Sequence, residues 1–231
     1  GQVIMMAGDQ TYYAFIIAGV AALFSGYSYS RLAAAYPDSG GLTDYFHIAF
    51  KKRWVVGTFS LIYMMTSAVS ICMMAKSFGI YAVKLFPHVL DTNFFINAAA
   101  CFLIVGLAAL NMQRSKDVGN TEIVMVSIKM GILLSLIIAA LIHYDIAEKM
   151  QTIPFNEVKF MGSIGVTFFA FAGYGVITNA AGDVKNPQRT ITWGIFLTIL
   201  IVIGLYLALA FVALHFIPAK ELMANADIAV A

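Results

Sequence analysis

The sequence predicts an all-α integral membrane protein. Its 231 residues are 61% hydrophobic and only 11% charged, so there is too little polar surface to clothe a soluble domain. The apolar residues come in runs of about 20, the length that crosses a hydrocarbon core of roughly 30 Å. Polar residues gather between the runs instead of interleaving with them at helical period. The whole chain, 1–231, reads as one transmembrane domain, multi-pass, embedded in the lipid of the cell membrane. No separate signal peptide is expected, because the chain opens at Gly1 with no Met, charged n-region or cleavage site.

Several function classes are disfavoured by what the chain lacks. A net charge of +2 suggests no nucleic-acid role. Cys72 and Cys101 both lie inside apolar runs and read as small buried hydrophobes, not as a disulfide or metal pair. His47, His88, His143 and His215 fall near span ends or in loops, and no His/Cys/Asp/Glu cluster has metal-ligand spacing. No nucleophile elbow, P-loop or HExxH motif is present, so no catalytic residue, metal or cofactor is expected and a membrane enzyme is disfavoured.

Six full spans follow in order. Residues 1–8 are apolar but too few to cross; they are either the end of a helix or a loop. The first span covers 11–36 and is stopped by Pro37, Gly40 and Gly41, with Arg31 close enough to the stop to snorkel. Residues 42–53 end in Lys51-Lys52-Arg53 and form a short interfacial helix or loop. The second span covers 55–83. Its Tyr63, Thr66, Ser67, Ser70 and Ser77 recur at spacings of three, four and seven, a polar face that serves helix packing or lines a cavity. Lys76 lies near the far end and reads as a snorkelling residue. The third span, 93–112, has no charge and reads as scaffold.

The fourth span, 122–143, contains Lys129. Counted from Glu122, that lysine lies seven residues in, about 10 Å along the axis. It is deep for snorkelling, and an intramembrane charge is a functional candidate by default. A polar connection with Pro154 leads to the fifth span, 160–182. This one is broken at Gly173-Tyr174-Gly175, and two glycines two residues apart at mid-depth suit a helix that opens to expose its backbone. Asn186-Pro187 restarts the chain, Asn as a cap and Pro at the first helical position. The sixth span covers 190–217 and is closed by Pro218. The ends carrying Lys51, Lys52, Arg53, Arg114, Lys116, Lys185 and Arg189 hold seven basic residues, against four at Lys84, Lys149, Lys159 and Lys220 on the other side. The bias puts the richer side in the cytoplasm, so the broken span enters from outside.

These residues carry a family resemblance. The stretch Phe168-Phe169-Ala170-Phe171-Ala172-Gly173-Tyr174-Gly175, running on to Lys185-Asn186-Pro187-Gln188-Arg189, resembles the sixth transmembrane helix and following loop of amino-acid permeases of the amino acid–polyamine–organocation (APC) superfamily. Tyr27-Ser28-Tyr29-Ser30-Arg31 and the residues through Tyr36-Pro37-Asp38-Ser39-Gly40-Gly41 resemble the end of their second helix. Three spans lie between the two motifs, as in that family.

The resemblance implies a LeuT-like fold of two inverted repeats, present in part. Residues 1–143 would be the remainder of the first repeat and 160–231 the start of the second, so the rest of the transporter chain is an implied partner. It implies a secondary active amino-acid transporter, proton-coupled, with alternating access around a midplane site. Freed carbonyls of Phe169, Ala170, Phe171 and Ala172 would bind a substrate ammonium, with Gly173, Tyr174 and Gly175 forming the break. Amides at Gly1 and Gln2 would meet the carboxylate, Phe169 would cover the substrate, and Tyr63, Thr66 and Ser70 would line the cavity. Lys129 matches a lysine that couples transport to protons in relatives, desolvation making proton release feasible. Gly175 stands where many relatives carry an acid, which argues against a cationic substrate unless the family's eighth transmembrane helix compensates. Arg31 stands where many have Glu. The competing readings are a polyamine or other organocation permease, an uncoupled exchanger, and a non-transporting membrane sensor or scaffold.

Overall fold

The computed structural model describes residues 2–37, 41–50, 52–84, 93–112, 115–143, 156–182 and 184–216. Gly1, Asp183, Lys51, Arg114, Lys149, Lys220, Pro154, Pro218 and the tail lie outside these residues. Eight α-helices are described: α1 Gln2–Ala7, α2 Thr11–Ala35, α3 Gly41–Ala49, α4 Arg53–Lys84, α5 Asn93–Asn111, α6 Ser115–His143, α7 Glu157–Ala170 and α8 Pro187–Phe216. Short 3-10 segments, Gly8–Gln10 and Tyr174–Ala180, follow α1 and α7. No strand occurs among the described residues, and six stretches are long and apolar enough to cross a membrane. The protein is an all-α, multi-pass membrane protein.

Most element limits fall within a residue or two of the sequence reading. Of residues 1–8, Gln2–Ala7 form the helix α1, ended by Gly8 in the left-handed region at φ 55°. That break divides a 34-residue apolar stretch that would otherwise run straight from Gln2 to Ala35. The fourth span, α6, departs most. It begins at Ser115, not at Glu122, and Lys129 is therefore the fifteenth of its 29 residues, the central one. Polar residues such as Lys116, Asp117 and Asn120 look like a loop, but extending an existing helix costs far less than starting one.

The chain divides into two compact units, Gly1–Tyr63 with Ile146–Ala224 and Met64–Asp145 with Asn225–Ala231. The first is built on α2 and α8. Ala14, Ala18, Gly19, Ala22, Gly26, Ser30 and Ala33 form a buried small-residue stripe on α2. Ala18, Ala22 and Ala33 share a core cluster with Ile191, Ile195 and Ile199 of α8, which recur every fourth residue. The approach is so close that a Cβ on Gly26 would lie 2.8 Å from side-chain carbons of both Ile195 and Ile199. One on Gly19 would lie 2.6 Å from Ile203. In lipid there is no hydrophobic force between helices, so association relies on such tight van der Waals packing. The other face of α2 presents Tyr13, Ile17, Val20, Phe24 and Tyr27, exposed and apolar as lipid requires.

The remaining elements of this unit lean on that pair. α7 packs against α1 and α2, and Gly162 leaves room for the Met6 terminal methyl. Buried Ser163 and Thr167 return their hydroxyls to the α7 carbonyls of Phe160 and Ser163, at 2.6 and 2.7 Å. α3 packs on the 3-10 segment Tyr174–Ala180. Its first residue, Gly41, has φ 55° and lies so close to the Asn179 side chain that no Cβ would fit. The start of α8 meets the end of α2 where Gln188 Nε2 donates to the Ala34 carbonyl at 3.5 Å.

In the second unit, Ala75, Gly79 and Val83 form the buried stripe of α4, and Gly79 lies against the Ile96 carbonyl of α5. The hydroxyls of Ser70 and Ser77 turn back onto their own helix, to Thr66 and Met73 carbonyls at 2.9 and 3.0 Å. Cys72 and Cys101 are free, but both are exposed, a correction to their expected burial. A membrane helix has no need to bury small apolar side chains.

Gly26→Val should overpack the α2–α8 seam and cost about 1–3 kcal/mol. A lowered melting temperature in detergent, partly restored by adding Ile199→Ala, is the expected result.

Candidate functional site

The interruption of the fifth span is a change in backbone, not a simple kink. α7 ends at Ala170, Phe171 to Gly173 form a turn, and the chain resumes as the 3-10 segment Tyr174–Ala180. Gly173 makes the turn with φ 119°, where a Cβ would be strained. Gly175 is not in the left-handed region; its role is clearance. A Cβ there would lie 3.2 to 3.6 Å from the Tyr29 ring. Both glycines lie at the expected break, but they act differently: Gly173 turns the backbone, and Gly175 makes room for the Tyr29 ring. Asn186 is likewise left-handed at φ 55°, and Pro187 opens α8 as its first residue.

The fate of the carbonyls at the end of α7 can be followed one by one. Phe168 O accepts from Phe171 N at 3.1 Å, and Phe169 O from Ala172 N at 3.0 Å. Ala170 O accepts from the Tyr206 hydroxyl at 3.0 Å. Among the described residues no donor reaches Phe171 O or Ala172 O. A helix C-terminus carries partial negative charge on such carbonyls, and two that keep their lone pairs suit a cationic donor.

The side chains sort differently from the backbone. Phe171 is 5% exposed and belongs to the α2–α8 core, its ring edge-on to Tyr206 at 5.3 Å. Tyr206 is also 5.4 Å from Phe15, so its hydroxyl is held at the break between two rings. Phe169 is 48% exposed and is not part of this core.

A cavity of about 260 Å³ lies in the first unit beside the break. It is lined by Ser25 and Tyr29 of α2, Leu42 of α3, Tyr63 of α4, Phe168 of α7, and Ala172 to Val176. Five expected site residues meet there: Tyr63, Ala172, Gly173, Tyr174 and Gly175. Phe169, Ala170 and Phe171 adjoin the break without lining the cavity, and Gln2 opens α1, which packs on α7. Gly1 lies outside the described residues. Thr66 and Ser70 lie further along α4, in the second unit.

Ser25, Tyr29, Leu42, Phe168 and Val176 were not expected as lining residues. Ser25 and Tyr29 had a signal in their spacing, a hydroxyl and a phenol one turn apart around Gly26. Leu42 had none, since only tertiary packing of α3 brings it in. Lys129 belongs to the second unit, exposed in a shallow groove of α6 with Met125, Ile128, Ile132 and Leu133, none of them charged. No group of three or more His, Cys, Asp or Glu suited to a metal occurs among the described residues.

A family model described as amino acid permease matches residues 6–231. The inner membrane transport protein YbaT of Escherichia coli is 38% identical over 231 residues, all of this chain and 54% of its own length. The uncharacterized protein MJ0609 of Methanocaldococcus jannaschii is 31% identical over 227 residues, 98% of this chain and 52% of its own. The branched-chain amino acid permease BcaP of Bacillus subtilis is 27% identical over 229 residues, 92% of this chain and 49% of its own. The chain spans about half the length of these curated relatives.

Gly173→Ala should destabilise the protein by about 1–3 kcal/mol, because it forces an L side chain into a disfavoured backbone region. Gly165→Ala, in the body of α7 with open space above it, should be neutral or slightly stabilising. Paired thermal-unfolding measurements on the two variants check both.

Proposed function

This chain belongs to the amino acid permease family of the APC superfamily, and on that premise we propose that it forms part of a secondary active amino-acid transporter. The broken helix contributes the ammonium-binding half of a midplane site, and access to the site alternates between the two sides of the membrane. The observation that carries this reading is the pair of carbonyls, Phe171 O and Ala172 O, without a donor among the described residues at the interruption of an apolar span. Unpaired backbone groups in lipid cost several kcal/mol each, so irregular backbone at depth is tolerated where it is buried in protein or lines a cavity. Ala172 lines the cavity beside it. The name of the relative BcaP, a branched-chain amino acid permease, favours amino acids as the cargo.

The remaining parts of the reading belong to the whole transporter. The two segments 1–143 and 160–231 would be portions of two inverted repeats of a LeuT-like fold, with the rest of the chain supplying the other half of the site. Gln2, with Gly1, would face the substrate carboxylate, and Thr66 and Ser70 remain candidates for the substrate path of the whole transporter. Phe169 would cover the substrate.

Proton coupling is assigned to Lys129. With 14 residues of α6 on either side, the lysine has about 21 Å of helix to each end. The first turns of α6 are polar, so depth counts from the apolar stretch Gly119–Ile142; Lys129 lies about 15 Å inside its nearer end, which is deep for snorkelling. An ammonium at such a place is costly in lipid and is kept where it faces a partner or an ion pathway.

The test is uptake by proteoliposomes holding the full-length transporter, driven by an inward proton gradient. Lys129→Ala should reduce gradient-driven accumulation by about tenfold or more while leaving amino-acid binding by thermal shift in place. Uptake that stays proton-dependent in this variant would remove the lysine from the mechanism. Binding without flux in the unaltered protein would favour the sensor reading instead.

A further inference from the structure

Tyr29 has a place in the cavity that the broken helix alone does not explain. It comes from α2, and its ring lies over Gly175, where a Cβ would lie 3.2 Å from Cε1 and 3.3 Å from Cζ. Because Gly175 needs no left-handed backbone, the missing side chain is the feature that matters, and the space it leaves is filled by a tyrosine from a neighbouring helix. Tyr29 is also edge-on to Tyr174, with ring centroids 5.9 Å apart and planes at 80°. The Thr178 hydroxyl donates to the Gly175 carbonyl at 2.7 Å and fixes the floor beneath the ring. The ring's own helix is held on both sides of it, at buried Gly26 and buried Ser30, by the α2–α8 seam.

The chemistry of the lining is equally defined. Among the described residues, none of the ten that line the cavity is charged, and their side-chain polar groups are the hydroxyls of Ser25, Tyr29, Tyr63 and Tyr174. A charged substrate side chain would lose hydration there without meeting a counter-charge from these residues, a strong penalty in a partly apolar space. A neutral side chain would fit, its size limited by the Tyr29 ring.

We infer that Tyr29 is a specificity-determining residue, seated in the space left by Gly175, that restricts the cavity to amino acids with small or medium uncharged side chains. This rests on the amino-acid transporter reading above. Two substitutions act on the ring in opposite directions. Tyr29→Ala removes it and enlarges the cavity. Gly175→Ala adds a methyl that pushes the ring by a few tenths of an ångström, and the cavity narrows.

The experiment uses the full-length transporter in proteoliposomes and a panel of alanine, leucine, phenylalanine, tryptophan and lysine. Unaltered protein should prefer alanine and leucine over tryptophan and lysine. Tyr29→Ala should shift the ratio of kcat/KM for tryptophan to that for alanine upward by about tenfold or more, the scale of discrimination that a filled or emptied apolar pocket supplies. Gly175→Ala should lower kcat/KM for leucine, and Tyr29→Ala with Gly175→Ala should recover it. Tyr29→Phe, which keeps the ring and removes only the hydroxyl, should retain the original size ranking and guards against loss of fold in the alanine variant. An unchanged ranking in folded Tyr29→Ala and folded Gly175→Ala overturns the inference while leaving amino-acid transport standing. A failure of the unaltered protein to move any of the five overturns the transport reading itself.

Discussion

The close approach of α2 to α8 is the constraint on which the first unit depends. Two helices meet across alanines and glycines on one side and an isoleucine ridge on the other, at distances that leave no room for a methyl at Gly19 or Gly26. Lipid contributes no hydrophobic drive to this contact, so its stability lies in the number of atom pairs near van der Waals distance. Phe171 adds its ring to the same core, which anchors the turn after α7 to the seam. The break therefore does not float. Its backbone leaves the helix, but the side chain at its first residue is buried in the α2–α8 core.

Opening a helix in an apolar setting frees backbone groups, and each must be satisfied or put to use. The structure does both. Phe168 and Phe169 keep tighter 3-10-type bonds, and Ala170 is served by Tyr206 from α8. Only Phe171 and Ala172 keep their carbonyls without a donor among the described residues. Of the four carbonyls expected to share a backbone role, Phe169 to Ala172, two have a donor within the protein and two have none among the described residues. Tyr206 lies 36 residues from the carbonyl it serves, and no local pattern connects them.

What was legible in the sequence followed from length, hydropathy and glycine or proline punctuation. Apolar runs located the spans, Gly173 located the break, and Pro187 marked the first residue of α8, because each rests on a local rule. Tertiary placement was not legible. Tyr29 and Leu42 reach the cavity only through packing of α2 and α3, and Gly175 resembles Gly173 until its backbone angle and its neighbour are known. The start of α6 was missed because its first turns are polar, and hydropathy marks where a helix enters lipid, not where it begins. That error concealed the central position of Lys129.

A lysine at the midpoint of α6 also bears on how the segment enters the membrane in the first place. Insertion of a charged residue at a helix centre costs about 2.5–3.5 kcal/mol, and each Leu, Ile or Val near the centre returns about 0.3–0.6. Between Ile123 and Ile142 the helix carries twelve such residues, and its apolar window has the second-highest mean hydropathy of the six stretches, 2.4. Together they offset the lysine with a margin of only a few kcal/mol. The composition around Lys129 is thus a condition of biogenesis: substitutions that trim α6 to polar residues would hinder its delivery to the bilayer before any question of transport arises.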